Sequence, residues 1–113
     1  MLSKIKSPDD HLRYFIFLNQ AGGRALTPEV TAAHVAHLRR LDSEGRLEIC
    51  GPFIDFAGGV VVVDARSLEE AHQIAVSDPF VNQGFRTYEI RTMKWSREEN
   101  NHLQNEKLEK DEF

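Results

Sequence analysis

One cysteine, Cys50, stands in 113 residues, so an internal disulfide framework is excluded. It sits in a short alternating stretch, where a lone cysteine reads as a small buried hydrophobe. A reactive thiol would need a positive, partly exposed setting, and only Arg46 is close in sequence. Long apolar runs are missing as well; none approaches the ~20 residues of a membrane span. Met1 to Asp10 carries no apolar stretch of the kind a secretory signal needs. A soluble, cytoplasmic protein with no membrane partner is the expectation. Excess positive charge is also absent: 14 Lys and Arg face 18 Asp and Glu, a formal net charge of −4, with a pI near 5.7. A dedicated nucleic-acid binder usually carries a basic footprint, so none is expected here. Gly22-Gly23 lacks the following glycine and lysine pattern of a phosphate loop.

What is present suits one small domain. A chain of this length hides roughly 65% of the surface its unfolded form exposes, enough for one modest core without staples. The first ten residues are polar and read as a loose lead-in. Leu12 to Leu18 is short, aromatic and β-branched, which favours a strand. Leu12, Tyr14, Ile16 and Leu18 would occupy one face, Phe15 and Phe17 the other, so both faces ask for cover. Asn19 to Leu26 reads as a loop. Thr27-Pro28-Glu29 is a helix start: an N-cap oxygen, a proline whose missing N–H costs nothing there, and an acid in the first turn. That helix runs to Ser43 or Glu44 and stops at Gly45. At about 100° per residue, Val30, His34, His37, Leu38 and Leu41 share one face.

Arg46 to Phe53 predicts a second strand. Gly59 to Ala65, with four consecutive valines, predicts a central strand covered on both sides. Ser67 and Glu70 have the spacing of a capping box. The helix they open runs from Leu68 to about Val76, with Leu68, Ala71, Ile74 and Ala75 inward, and Asp78-Pro79 ends it. Phe80 to Gly84 is expected to be a loop, and Phe85 to Met93 alternates as a last strand. The order β-α-β-β-α-β predicts a ferredoxin-like α+β fold: a four-stranded antiparallel sheet with two helices on one face. The other face would be a large apolar patch on a monomer, and face-to-face pairing into a homodimer is the simplest remedy. Residues 1–95 form this domain. Residues 96–113 are a charged tail or helix, with Ser96 placed as an N-cap before Arg97-Glu98-Glu99. Its apolar stripe is too thin to hold it alone. It is either frayed or laid as an arm across a partner.

These segments carry a resemblance. His37-Leu38-Arg39-Arg40-Leu41, then Gly45-Arg46-Leu47 and Gly51-Pro52-Phe53, resemble the helix, turn and second strand of the YciI-like (YCII-related) family. Leu68-Glu69-Glu70-Ala71 followed by Ser77-Asp78-Pro79-Phe80-Val81 and Gly84 resembles its second helix and Asp-Pro loop. The resemblance covers Leu12 to Met93. It implies a dimeric α+β barrel and a His-Asp pair in a pocket, which falls on His37 and Asp78. Some members of the family are dehydrochlorinases of chlorinated hydroxyquinone-type aromatics. The wider superfamily includes muconolactone isomerase-like and monooxygenase-like barrels.

The chemistry expected from such a pair is proton transfer. A carboxylate holding one ring nitrogen fixes the tautomer, and the other nitrogen acts as acid or base. His37 would be that acid or base and Asp78 its orienter, in a cofactor-independent lyase or isomerase for a small cyclic or aromatic compound. Tyr14, Phe53 and Phe80 would wall the pocket, and Arg86 would bind an anionic substituent. Each has a plainer role beside it: His37 as a core histidine, Asp78 as helix punctuation, the aromatics as core, Arg86 as a solvated strand residue. His34 and His37 with Asp78 also have the composition of a two-histidine, one-carboxylate metal site, but no further His or Cys cluster supports one, and no metal or other cofactor is expected. His11, His72 and His102 are isolated. The alternatives to an enzyme are a ligand-binding or accessory dimer without chemistry, and a scaffold whose tail engages another protein.

Overall fold

The computed structural model describes residues 11–104; the expected lead-in and the end of the charged tail lie outside the described residues. Four strands, β1 (Leu12–Gln20), β2 (Leu47–Pro52), β3 (Gly59–Val63) and β4 (Arg86–Lys94), form one sheet in the order β2-β3-β1-β4. All three pairings are antiparallel. Two helices, α1 (Pro28–Ser43) and α2 (Leu68–Ser77), follow β1 and β3, and a short helical turn, α3 (Pro79–Asn82), precedes β4. This is the ferredoxin-like α+β arrangement.

The sheet separates two faces because side chains alternate along each strand. Tyr14, Ile16 and Leu18 of β1 join Val61 and Val63 of β3 in the core, together with Val30 and Leu41 of α1 and Ala71, Ile74 and Ala75 of α2. The register sets Tyr14 opposite Val63 and Ile16 opposite Val61, with Phe15 opposite Val62 and Phe17 opposite Val60 between them. Phe15, Phe17, Val60 and Val62 therefore belong to the other face. β4 continues both sets: Ile90 lies opposite Ile16, and Arg91 and Glu89 lie opposite Phe15 and Phe17. The four valines are thus divided between two faces of a strand that lies between β2 and β1.

Helix ends follow local chemistry. The Thr27 hydroxyl accepts from the Val30 N–H at 3.1 Å, Pro28 takes the first helical position, and Gly45 at φ 72° turns the chain out. Ser67 accepts from the Glu70 N–H at 3.1 Å. The return bond of a capping box is displaced, because the Glu70 carboxylate accepts from the Arg66 N–H at 2.9 Å and from the Arg66 guanidinium. Three expectations change. Leu68 is 46% exposed rather than inward: it is the first residue of α2, whose buried residues are Ala71, Ile74 and Ala75. The expected loop after Asp78 begins with helical turn α3, because Asp78 caps it by accepting from the Phe80 N–H at 2.9 Å. Ser96 caps nothing: Glu98–Leu103 is a 3-10 stretch whose cap position is Arg97, and Asn101, His102 and Leu103 have positive φ.

Cys50 is half-buried and packs against the core. Burial, reinforced by the charge of Asp42, pushes its thiol pKa up, the opposite of what a reactive thiolate needs. At the β2–β3 hairpin, Gly58 has φ +125°, and a Cβ there would strike the Leu18 carbonyl. Gly58→Ala should therefore cost more than about 2 kcal/mol, whereas Gly22→Ala, with open space around it, should cost about 1 kcal/mol. Urea unfolding of the two variants measures the difference.

Candidate functional site

The site is assembled where α1 passes the junction of α2 and α3. Asp78 is both the C-cap of α2 and the N-cap of α3. Its side chain is only 3% exposed, so its carboxylate needs partners in place of water. One is the Phe80 N–H. The other is the Nδ1 of His34, which lies 2.8 Å from Oδ1 and 3.0 Å from Oδ2. A carboxylate accepts, so Nδ1 carries the hydrogen and Nε2 is left as the second functional nitrogen. The imidazole also stacks on the Phe80 ring, with centroids 3.8 Å apart and planes 5° from parallel. Hydrogen bond and stack together hold the ring in one orientation.

The pairing differs from the one expected. Asp78 bonds His34, not His37. The two histidines are about 4.5 Å apart along the helix axis and about 60° apart around it, so both belong to the buried side but only one meets the carboxylate. His37 is 4% exposed, and its Nδ1 is buried without a hydrogen-bond partner. Burial lowers its pKa; the nearby Asp78 charge opposes this, while Arg40, His34 and Arg46 add to it. The neutral imidazole is thereby favoured.

Of the residues expected to wall a pocket, Phe80 stacks on His34. The Arg86 guanidinium lies 6.0 Å from the Phe80 centroid, held by the Phe85 carbonyl at 2.8 Å. Arg24, which carries no motif, comes to the same end of the molecule. It lies over the Phe85 ring at 3.7 Å and donates to the Gln83 carbonyl at 2.7 Å. Tyr14 is a core residue. Its pKa is raised by burial and then by Asp64, Glu69 and Glu70; the two glutamates lie in the first turn of α2, whereas Asp78 lies at the other end of that helix. Phe53 follows β2 in the hairpin and is 38% exposed. Neither joins the His34–Asp78–Phe80 group. Among the described residues, no cluster of three His, Cys, Asp or Glu side chains is arranged to hold a metal ion.

Fold and site together define a ferredoxin-like α+β protein with a buried histidine–carboxylate pair between its helices. A model of the YCII-related domain matches residues 12–94, and the chain belongs to that family. It is 44% identical over 67 residues to the uncharacterized protein YjpA of Bacillus subtilis (strain 168), covering 59% of this chain and 76% of that one. Among solved structures it is similar to the 5-chloro-2-hydroxyhydroquinone dehydrochlorinase TftG of Burkholderia phenoliruptrix AC1100, in complex with 2,5-dihydroxybenzoquinone. The TM-score is 0.56 at 21% identity, over 79% of this chain and 98% of that one. At that identity the likeness establishes the fold.

The buried His37 has a consequence for stability. Its pKa is lower folded than unfolded, so the unfolded chain binds more protons below about pH 6.5. Its contribution is fully present above that pH and is lost as the pH falls toward the folded value. The urea midpoint should drop between pH 7.5 and 5.5, and the drop should be smaller in His37→Gln.

Proposed function

We propose that this protein is a cofactor-independent lyase or isomerase that moves a proton on a small cyclic or aromatic compound. The observation that carries this is the His34–Asp78 hydrogen bond beneath the Phe80 stack. In this reading Asp78 orients the ring and stabilises its charged form, and His34 takes the acid–base role first given to His37. Nε2 of His34 accepts the substrate proton. In an elimination the electron pair left behind enters the ring as chloride departs, so HCl is lost and no outside oxidant is required. In an isomerisation the same nitrogen returns the proton at another carbon. Arg86, beside Phe80, would draw an enolate or phenolate oxygen toward the site. The dehydrochlorinase with the same fold gives the first substrate class to test, chlorinated hydroxyhydroquinones.

The same proposal includes a homodimer. The sheet face away from the helices carries Phe15, Phe17, Val60 and Val62, with Phe15 and Phe17 6.1 Å apart. Phe15, Phe17 and Met93 line a shallow hollow of about 290 Å³, edged by Arg91 and Thr92, and Ile49 nearby is 66% exposed. A second copy laid against this face would cover it. A non-catalytic binding dimer is the alternative reading, and it shares every feature except turnover.

Chloride release from chlorinated hydroxyhydroquinones, followed by ion chromatography, tests the chemistry. His34→Ala and Asp78→Asn should each lower kcat by roughly 10²- to 10⁴-fold. Full activity in His34→Ala would end this assignment, and loss confined to His37→Ala would return the role to His37. Sedimentation at micromolar concentration should give a dimer, and Phe17→Glu a monomer. A monomeric wild-type protein would contradict the pairing.

A further inference from the structure

A sheet edge presents a row of unpaired N–H and C=O groups, and folded proteins usually blunt it. The edges of this sheet are β2 and β4, and they differ. β2 ends at Gly51-Pro52, and its register shifts between Leu47 and Ile49. Proline and an irregular register are ordinary ways to close an edge. β4 has neither glycine nor proline in its nine residues and pairs with β1 without a break. Among the described residues no strand lies on its other side.

Opposed residues in an antiparallel pair alternate between exchanging hydrogen bonds and not. The Trp95 N–H donates to the His11 carbonyl at 2.7 Å, one position beyond the Leu12–Lys94 pair. Bonded pairs therefore fall on Met93, Arg91, Glu89 and Thr87, and the N–H and C=O groups of Tyr88, Ile90 and Thr92 point away from β1. The Ile90 carbonyl accepts from the guanidinium of its own neighbour Arg91 at 3.1 Å. Glu89 and Arg91, both exposed, lie 3.5 Å apart. Beside this edge α2 leaves apolar surface uncovered: Leu68 and Val76 are each nearly half exposed. With His72 they take every fourth position of the helix and share one side. His72 bonds the Tyr88 hydroxyl at 2.8 Å, so that side faces β4.

We propose that β4 is a docking edge for a second copy of this chain, joined antiparallel about Ile90 so that the two sheets become one. The strand itself selects partner and register. Two copies of β4 exchange their outward bonds only in registers that set even-numbered residues opposite even-numbered ones. About Ile90, the middle residue of β4, Glu89 of each copy lies opposite Arg91 of the other. An axis on Glu89 or on Arg91 would set like charges face to face, which is destabilising. An axis on Tyr88 or Thr92 pairs fewer residues and loses both charge pairs. In the Ile90 register Arg91 gives up the Ile90 carbonyl to the second copy's N–H and turns to that copy's Glu89. Leu68 and Val76 come beside the second copy's α2. At each end Arg86 meets Lys94 of the second copy, which works against the contact. An edge contact of this kind is small, so it forms at concentrations well above those of the outer-face pairing. It uses the strand's edge and does not rest on that pairing.

Phe17→Glu in the full chain removes the outer-face pairing and isolates the edge. Sedimentation of this variant should show a monomer at micromolar and a dimer at millimolar concentration. Amide exchange followed by NMR should slow about tenfold over that range at Tyr88, Ile90 and Thr92. It should stay constant at Glu89 and Arg91, whose amides β1 already holds. Adding Glu89→Arg should abolish both effects, and adding Glu89→Arg with Arg91→Glu should restore them, because the exchange rebuilds the same pairs. Both side chains are exposed, so these changes leave the fold intact. Three results would each overturn the edge: a monomer at millimolar concentration, association that leaves Tyr88, Ile90 and Thr92 exchanging freely, or a charge exchange that restores nothing. A wild-type chain that is monomeric at micromolar concentration sinks the outer-face pairing alone, and the same series on that chain then decides the edge.

Discussion

A carboxylate with 3% of its side chain exposed cannot stay charged unless protein groups replace its water. Asp78 meets that constraint with two bonds made in different directions. The Phe80 N–H comes from the next turn of its own chain, and the His34 imidazole comes from 44 residues earlier. The first bond starts α3; the second ties α1 to the α2–α3 junction. The placement of Phe80 then follows from α3, and its stack on His34 from the tie. Losing either partner leaves the other buried and unmatched, so the group is far more cooperative than a surface ion pair.

The sheet shows a second asymmetry of the same physical origin. One face is covered by α1 and α2 and carries the core. The other holds aromatic and valine side chains beside Arg91 and Glu89, a surface whose apolar area needs cover from elsewhere. Near the Leu12 end of β1 that face turns polar. Buried Arg13 bonds Glu48 at 2.8 Å and lies 3.9 Å from Asp64. In the proposed homodimer the apolar centre would lie at the interface, while Arg13 and Asp64 are already buried within one chain.

Much of the fold was legible in the residues. Strand alternation, the valine run, Thr27-Pro28 and Ser67 each act over a few neighbouring positions, and local rules read them correctly. The family followed from the same segments. Leu68 was misplaced because helical phase alone does not say whether the first residue of a helix has anything packed against it. α3 was missed because a four-residue turn has too little periodicity to register. Ser96 failed as a cap because the 3-10 stretch begins one residue later, with Arg97 at the cap position and its N–H donating to Asn100 Oδ1.

The site was half legible. Asp78-Pro79 marked its own end of the pair, and two histidines three apart on one helix face marked the other. Choosing between His34 and His37 was a matter of about 60° around a helix. Arg24 left no sequence signal at all; it reaches the site's end of the molecule through a loop bond to Gln83. The sequence by itself determined the element order, the two-faced sheet and the residue types of a histidine–carboxylate pair, because these depend on contacts a few residues apart. Tertiary structure alone decided that His34 meets Asp78 and that His37 is buried with its Nδ1 unpartnered. Those outcomes depend on how α1 is rotated and shifted against α2, which long-range packing sets.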